Sequence, residues 1–93
     1  MPVTFSKVLM ILVYAKVYIT NIPYNINEEE LNSAFEIFGE ISDVSIPKHF
    51  NTGFSRGFAF VEFEKKADAK KSIQSRTPIF IKGRKIFVQE FKK

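Results

Sequence analysis

Between Arg56 and Phe63 the chain reads Arg-Gly-Phe-Ala-Phe-Val-Glu-Phe, and the spacing of its rings limits what they can do. In a strand successive side chains point to opposite faces. Charged Glu62 belongs in water, so Phe58 and Phe60 share its outward side while Ala59, Val61 and Phe63 point inward. The same parity puts Tyr18 outside between Val17 and Ile19, and Phe87 and Gln89 outside around Ile86 and Val88. Four aromatic side chains on one face offer flat π-surfaces on which flat partners can stack, a chemistry of binding. Covalent chemistry has little to work with. The 93 residues include no cysteine and a single histidine, His49, which leaves no zinc constellation and no nucleophile-and-base triad. No catalytic residue, metal or cofactor is expected.

The elements that must carry these rings follow from periodicity. Lys16 to Thr20 alternates and is β-branched or aromatic, a strand stopped by Asn21-Ile22-Pro23. Asn27 with Glu30 three positions later is a capping signature, and Glu28 to Glu30 sit where a helix dipole favours negative charge. Leu31, Ala34, Phe35 and Phe38 then form one apolar helical stripe that Gly39 ends. Ile41 to Ile46 is a second strand, which Pro47 must terminate or place at a sheet edge. Lys48 to Arg56, with Asn51-Thr52-Gly53 at its centre, reads as a turn or flexible loop. Gly57 to Phe63 is the third strand. Lys65 to Gln74 is a second helix with Ala69, Ser72 and Ile73 on one face and four lysines toward water. Ile79 to Ile81 and Arg84 to Glu90 flank Lys82-Gly83 as a short hairpin closing the sheet. The order is a twice-repeated split βαβ, an α+β, ferredoxin-like βαββαβ two-layer sandwich with a four-stranded antiparallel sheet on two helices. Two helices cover one face of such a sheet and leave the other open.

At 10.8 kDa with 45% hydrophobic and 26% charged residues, the chain has the length of one small domain, which excludes a multidomain enzyme. Its charge is segregated. Up to Pro47 two lysines face six acids, a net −4, whereas from Lys48 twelve Lys and Arg face four acids, a net +8. A basic half points to a polyanionic partner, with a lysine-rich solvated face as the alternative. Val8 to Ala15 is an apolar run far short of the roughly 20 residues a membrane span needs. With Lys7 before it, the run has a faint look of a secretory signal cut after Ala15; an added strand or helical turn, or an extension contributing little, are the other readings. The expected organisation is an extension over 1–15, a domain over 16–91 and a basic tail at 92–93.

Arg56 to Phe63 matches every position of the octamer K/R-G-F/Y-G/A-F-V-x-F/Y, and Val17-Tyr18-Ile19-Thr20-Asn21-Ile22 resembles the companion hexamer of the RNA recognition motif family. The resemblance covers about residues 16–91 and implies single-stranded RNA on the open sheet face. The stretch from Ser45-Ile46-Pro47 to the octamer also resembles the first such domain of La-related proteins and that of a nuclear cyclophilin. Two features depart from the family pattern. Arg76-Thr77-Pro78 stands where an apolar residue, Asn and Gly are usual, and the apolar extension has no counterpart.

The resemblance implies roles residue by residue. Tyr18 and Phe60 each carry a base, Phe58 lies against riboses and Arg56 pairs with a phosphate. Asn21 and Gln89 offer donors and acceptors to base edges, although each can equally satisfy local backbone, and Phe87 widens the stacking surface. Lys48, Lys82, Arg84, Lys85, Lys92 and Lys93 line the rims for phosphates. Phe50 and Phe54 can fold over RNA or back onto the domain. The expected partner is single-stranded RNA, with other ribonucleoprotein subunits as further candidates, no membrane, a monomeric state and a nuclear or cytoplasmic, preferentially nuclear, location. A second reading is a protein-interaction module that binds a peptide through the acidic first helix; the loop phenylalanine it needs is missing at Arg76-Thr77-Pro78. An acylphosphatase-like enzyme needs an arginine in the loop after the first strand, and Asn21 to Asn25 contains none.

Overall fold

The computed structural model describes residues 15–91. Residues 1–14 of the expected extension over 1–15, and Lys92 and Lys93 with their expected phosphate contacts, lie outside the described residues. In chain order the elements are β1 (Lys16–Thr20), α1 (Glu28–Phe35), β2 (Ile41–Ser45), β3 (Phe58–Phe63), α2 (Lys66–Gln74), β4 (Ile79–Ile81) and β5 (Arg84–Glu90), with a 3-10 turn over Glu36–Phe38 extending α1. They form one sheet of order β2-β3-β1-β5-β4, with every neighbouring pair antiparallel. Among the described residues no helix is long and apolar enough to cross a membrane.

The sheet has five strands, not the four expected. Lys82 and Gly83 both take positive φ, 51° and 82°, the mirror-image turn whose twist matches that of paired strands and which glycine enters without strain. That turn sets Ile79 opposite Ile86, Phe80 opposite Lys85 and Ile81 opposite Arg84, so the hairpin's short first arm is a strand of its own. The segment read as one closing unit therefore supplies the edge strand as well as its neighbour.

Elsewhere local chemistry sets the boundaries. The capping box on α1 is complete: Glu30 N–H donates to Asn27 Oδ1 at 2.8 Å and Asn27 N–H to Glu30 Oε1 at 3.0 Å. β2 lies at the sheet edge and ends before Pro47, and a register shift between Ile41 and Asp43 kinks it against β3.

Both helices pack on one face of the sheet. Val17 and Ile19 of β1, Ala59, Val61 and Phe63 of β3 and Ile86 of β5 meet Leu31 and Phe35 of α1 and Ala69 of α2 in one buried cluster. Phe35 and Phe63 are its largest fully buried side chains, each worth about 1.5 to 3 kcal/mol in water-excluded area. Buried Ser72 is satisfied by donating to Ala69 C=O at 2.7 Å, so it costs the core no unpaired polar atom. The inward parity read for β1, β3 and β5 is the parity of the core.

Candidate nucleic-acid interface

Register across β3, β1 and β5 arranges the outward side chains in rows. Phe58, Thr20 and Phe87 form one row, because Thr20 is the cross-strand partner of both phenylalanines. Phe60, Tyr18 and Gln89 form the next, since Tyr18 faces Phe60 on one side and Gln89 on the other. The rings touch without covering each other. Tyr18 and Phe60 lie side by side with centroids 5.5 Å apart and planes 38° apart. Phe58 is 5.8 Å from Tyr18 and edge-on to Phe60 at 5.9 Å. All three are half-buried by this mutual packing, and Phe87 at the end of its row is 48% exposed. The sheet thus holds four rings on the face opposite the helices, of which Phe87 is the most exposed.

Past the second row lies a shallow depression of about 530 Å³ lined by Tyr18, Phe60, Gln89, Glu90 and Phe91. Phe91 forms its wall, edge-on to Phe60 at 5.6 Å, and Lys16 Nζ lies 4.9 Å from the Phe91 ring centroid and 5.6 Å from that of Phe60. Neither Phe91 nor Lys16 was among the residues singled out from the sequence. The signal was present: Phe91 shares the parity of Phe87 and Gln89, and Lys16 that of Tyr18.

The polar candidates divide into two groups. Arg56 is exposed at the entrance to β3, its own N–H bound to Pro47 C=O at 3.1 Å. Lys85 stands over Phe87, Nζ 5.8 Å from the ring centroid, on the rim beside the first row. Gln89 is exposed next to Tyr18. Asn21 is engaged within the protein: its Nδ2 donates to Lys85 C=O at 2.7 Å and its Oδ1 accepts from Arg84 Nη2 at 2.8 Å. Arg84 also donates through Nε to Asn21 C=O at 3.2 Å. Lys48 and Lys82 turn toward the start of α1, where Lys48 Nζ meets Glu28 at 3.6 Å and Lys82 Nζ meets Glu30 at 3.3 Å. Two of the three acids in the first turn of α1, Glu28 and Glu30, therefore take a cation from the basic half of the chain. Among the described residues no three His, Cys, Asp or Glu side chains converge as a metal site.

Comparison with known proteins agrees with this geometry. The profile of the RNA recognition motif family matches residues 17–86. The probable RNA-binding protein 19 of Mus musculus is 42% identical over 62 residues, 66% of this chain and 6% of that protein. The serine/arginine-rich SC35-like splicing factor SCL30 of Arabidopsis thaliana is 40% identical over 75 residues, 81% of this chain and 29% of its own length. The chain therefore spans less than a third of either of these relatives. Among solved structures, the RNA-binding domain of Hrp1 in complex with RNA superposes with a TM-score of 0.76 at 26% identity, covering 86% of this chain and 47% of that one. The finer likeness to La-related proteins and to a nuclear cyclophilin is not supported by these relatives, whose shared feature is the general motif.

Proposed function

The chain belongs to the RNA recognition motif family, and we propose that residues 16–91 bind single-stranded RNA on the outer face of the sheet, without catalysis. The observation that carries this reading is the side-by-side pair of Tyr18 and Phe60, 5.5 Å apart on the face opposite both helices. Every base has a π-face, so each ring takes one base, at about 1 to 3 kcal/mol per stack. Phe58, edge-on to Phe60 and tilted against Tyr18, lies against the sugar, and Phe87 extends the surface along the first row. Arg56 offers its planar fork to a phosphate at the β3 entrance, and Lys85 and Arg84 offer charge on the opposite rim. Gln89, beside Tyr18 and facing the depression, reads a base edge with its amide. Asn21 contributes by holding Arg84 and Lys85 in place, because its own amide is committed to them. Lys48 reaches a phosphate only by leaving Glu28.

The setting we propose is RNA processing inside a ribonucleoprotein, nuclear rather than cytoplasmic, with the domain monomeric in itself. The kinship with a splicing factor supports that choice. The peptide-binding reading has no comparable support, since the stacking rings stand outward and the named relatives are RNA-binding proteins.

Titration of a labelled single-stranded RNA pool tests the reading. Phe60→Ala is expected to weaken binding by about 1 to 3 kcal/mol while the melting temperature changes little. Phe35→Ala, which empties a fully buried site, is expected to cost about 3 to 5 kcal/mol of stability. Unchanged RNA affinity in a folded Phe60→Ala variant would refute the assignment of this face.

A further inference from the structure

The connection from α2 to β4 carries Arg76-Thr77-Pro78, the departure from the family pattern to which RNA binding gives no task. The chain leaves the helix at once there. Ser75, the C-cap of α2, has φ −63° and ψ 132°, an extended conformation, and Pro78 disfavours the helical region for Thr77 before it. Ser75 Oγ donates to Thr77 C=O and accepts from Thr77 N–H, both at 3.3 Å, so the segment is locally tied.

Thr77 is exposed, and its hydroxyl makes no hydrogen bond among the described residues. Every other serine or threonine hydroxyl among them is buried, as at Ser55 and Ser72, bonded to local backbone, as at Thr52 and Ser75, or carried within a helix or strand. An exposed, unengaged hydroxyl on an extended segment can be delivered to the aspartate base of a protein kinase. Pro78 adds selection. It offers no N–H and a fixed φ beside the accepting residue, which suits a kinase whose cleft takes a proline ring at that place.

We propose that Thr77 is a phosphorylation site for a proline-directed kinase, and that its phosphate withdraws Lys85 from RNA. The second half rests on the RNA-binding reading above. The step consumes ATP: a bond forms from Thr77 Oγ1 to the γ-phosphorus as the bond from that phosphorus to the departing ADP oxygen breaks, and the hydroxyl proton passes to the kinase's aspartate. Thr77, Arg76, Lys85 and Phe87 line one concavity of about 230 Å³ between the end of α2 and β5. A phosphate there brings a charge of about −1.5 to −2 and three acceptor oxygens. The C-terminal end of α2 repels an anion, so the two cations and not the helix hold it. Lys85 decides the outcome for RNA. Its backbone is fixed by Asn21, and its Nζ, 5.8 Å from the Phe87 ring centroid, stands on the rim of the stacking face. Drawn to the phosphate on Thr77, that charge is lost to a passing strand.

Incubation of the protein with ATP and a cyclin-dependent kinase, and separately with ATP and a mitogen-activated protein kinase, tests the site by mass spectrometry. One phosphate is expected on Thr77, none at that position in Thr77→Val, and little in Pro78→Ala, which keeps the hydroxyl and removes the ring. Absence of phosphate from Thr77 with both kinases overturns the site, and so does equal phosphorylation of Pro78→Ala. Titration of a labelled single-stranded RNA pool tests the consequence. A salt slope of about 0.7 per phosphate contact makes one lost contact worth about fivefold in affinity at about 0.1 M salt. The phosphorylated protein is expected to bind RNA more weakly by about that factor, whereas phosphorylation of Lys85→Ala is expected to change affinity by less than about twofold. An equal loss in both proteins overturns the link to Lys85, as does unchanged affinity of the phosphorylated protein while Phe60→Ala still binds weakly. Phe60→Ala that binds as the parent does removes the sheet reading instead, and with it the link to RNA, while the site itself stands or falls on the mass spectra.

Discussion

Asn21 carries two constraints at one position. Its φ is 65°, a left-handed conformation that asparagine enters more readily than other residues bearing a Cβ, apart from aspartate. There its amide bridges to Arg84 and Lys85 across the β1–β5 seam. Asn21→Ala loses the bridges and also places an alanine in an unfavourable backbone region, so a loss of about 2 to 3 kcal/mol is expected. Asn21→Gly loses the same bridges but relaxes the backbone and should cost about 1 kcal/mol less. Urea unfolding of the two variants decides the point; equal midpoints would show that the conformation contributes nothing. The sequence left this residue between reading base edges and satisfying local groups, and it could go no further. Arg84 lies 63 positions away, and only the placement of β5 beside β1 brings it near. Tyr18, Phe58 and Phe60 were legible because parity within a single strand decides their side. Phe91 obeys the same parity but stands one residue past β5, which ends at Glu90, so parity counted within the strand stops short of it.

Elements with strong local signals were read close to their true bounds, and α1 is the clearest. Its cap, acidic first turn and apolar stripe all lie within a dozen residues, and each maps onto an observed hydrogen bond or buried side chain. Asn27→Ala should therefore lower stability by about 1 kcal/mol, measurable as a fall in melting temperature. A melting curve unchanged by that substitution would mean that solvent replaces the cap without loss. The end of this segment hides a constraint that periodicity does not show. A methyl at Gly39 would overlap Cβ, Cγ and Oδ2 of Asp68, in the first turn of α2. Gly39→Ala is expected to destabilise by more than the cap loss, and Asp68→Ala in the same chain to restore part of it. No recovery in the double variant would place the strain in the backbone instead. The sequence named Gly39 as a stop because only that role is local; its contact with Asp68 belongs to the packing of two helices. The arm Ile79–Ile81 has the bounds its turn residues imply, and only its standing as a fifth strand of the sheet goes beyond the sequence. Three residues are too few for a periodic signal, and their status as a strand comes from pairing with β5.

Across the whole molecule, the opposed charges of the two halves are redistributed by the fold. Glu28 and Glu30 at the start of α1 draw Lys48 and Lys82 away from the sheet, and both pairs are solvent-exposed enough to add little stability. Their effect is on what an approaching polyanion encounters: paired lysines at the start of α1, and Arg56, Arg84, Lys85 and Lys16 without a carboxylate partner among the described ion pairs. Counterion release follows the cations that meet phosphate, so the slope of log affinity against log salt falls in magnitude by about 0.7 for each phosphate contact removed from a single strand. Arg56→Ala and Lys85→Ala should each shallow that slope by about this amount, whereas Lys48→Ala and Lys82→Ala should leave it nearly unchanged. Because all four substitutions remove one positive charge, a response to net charge alone would give the same change in every variant. Equal slopes across the set would therefore mean that RNA responds to the molecule's total field, and that the ion pairs at α1 do nothing to direct it toward the sheet.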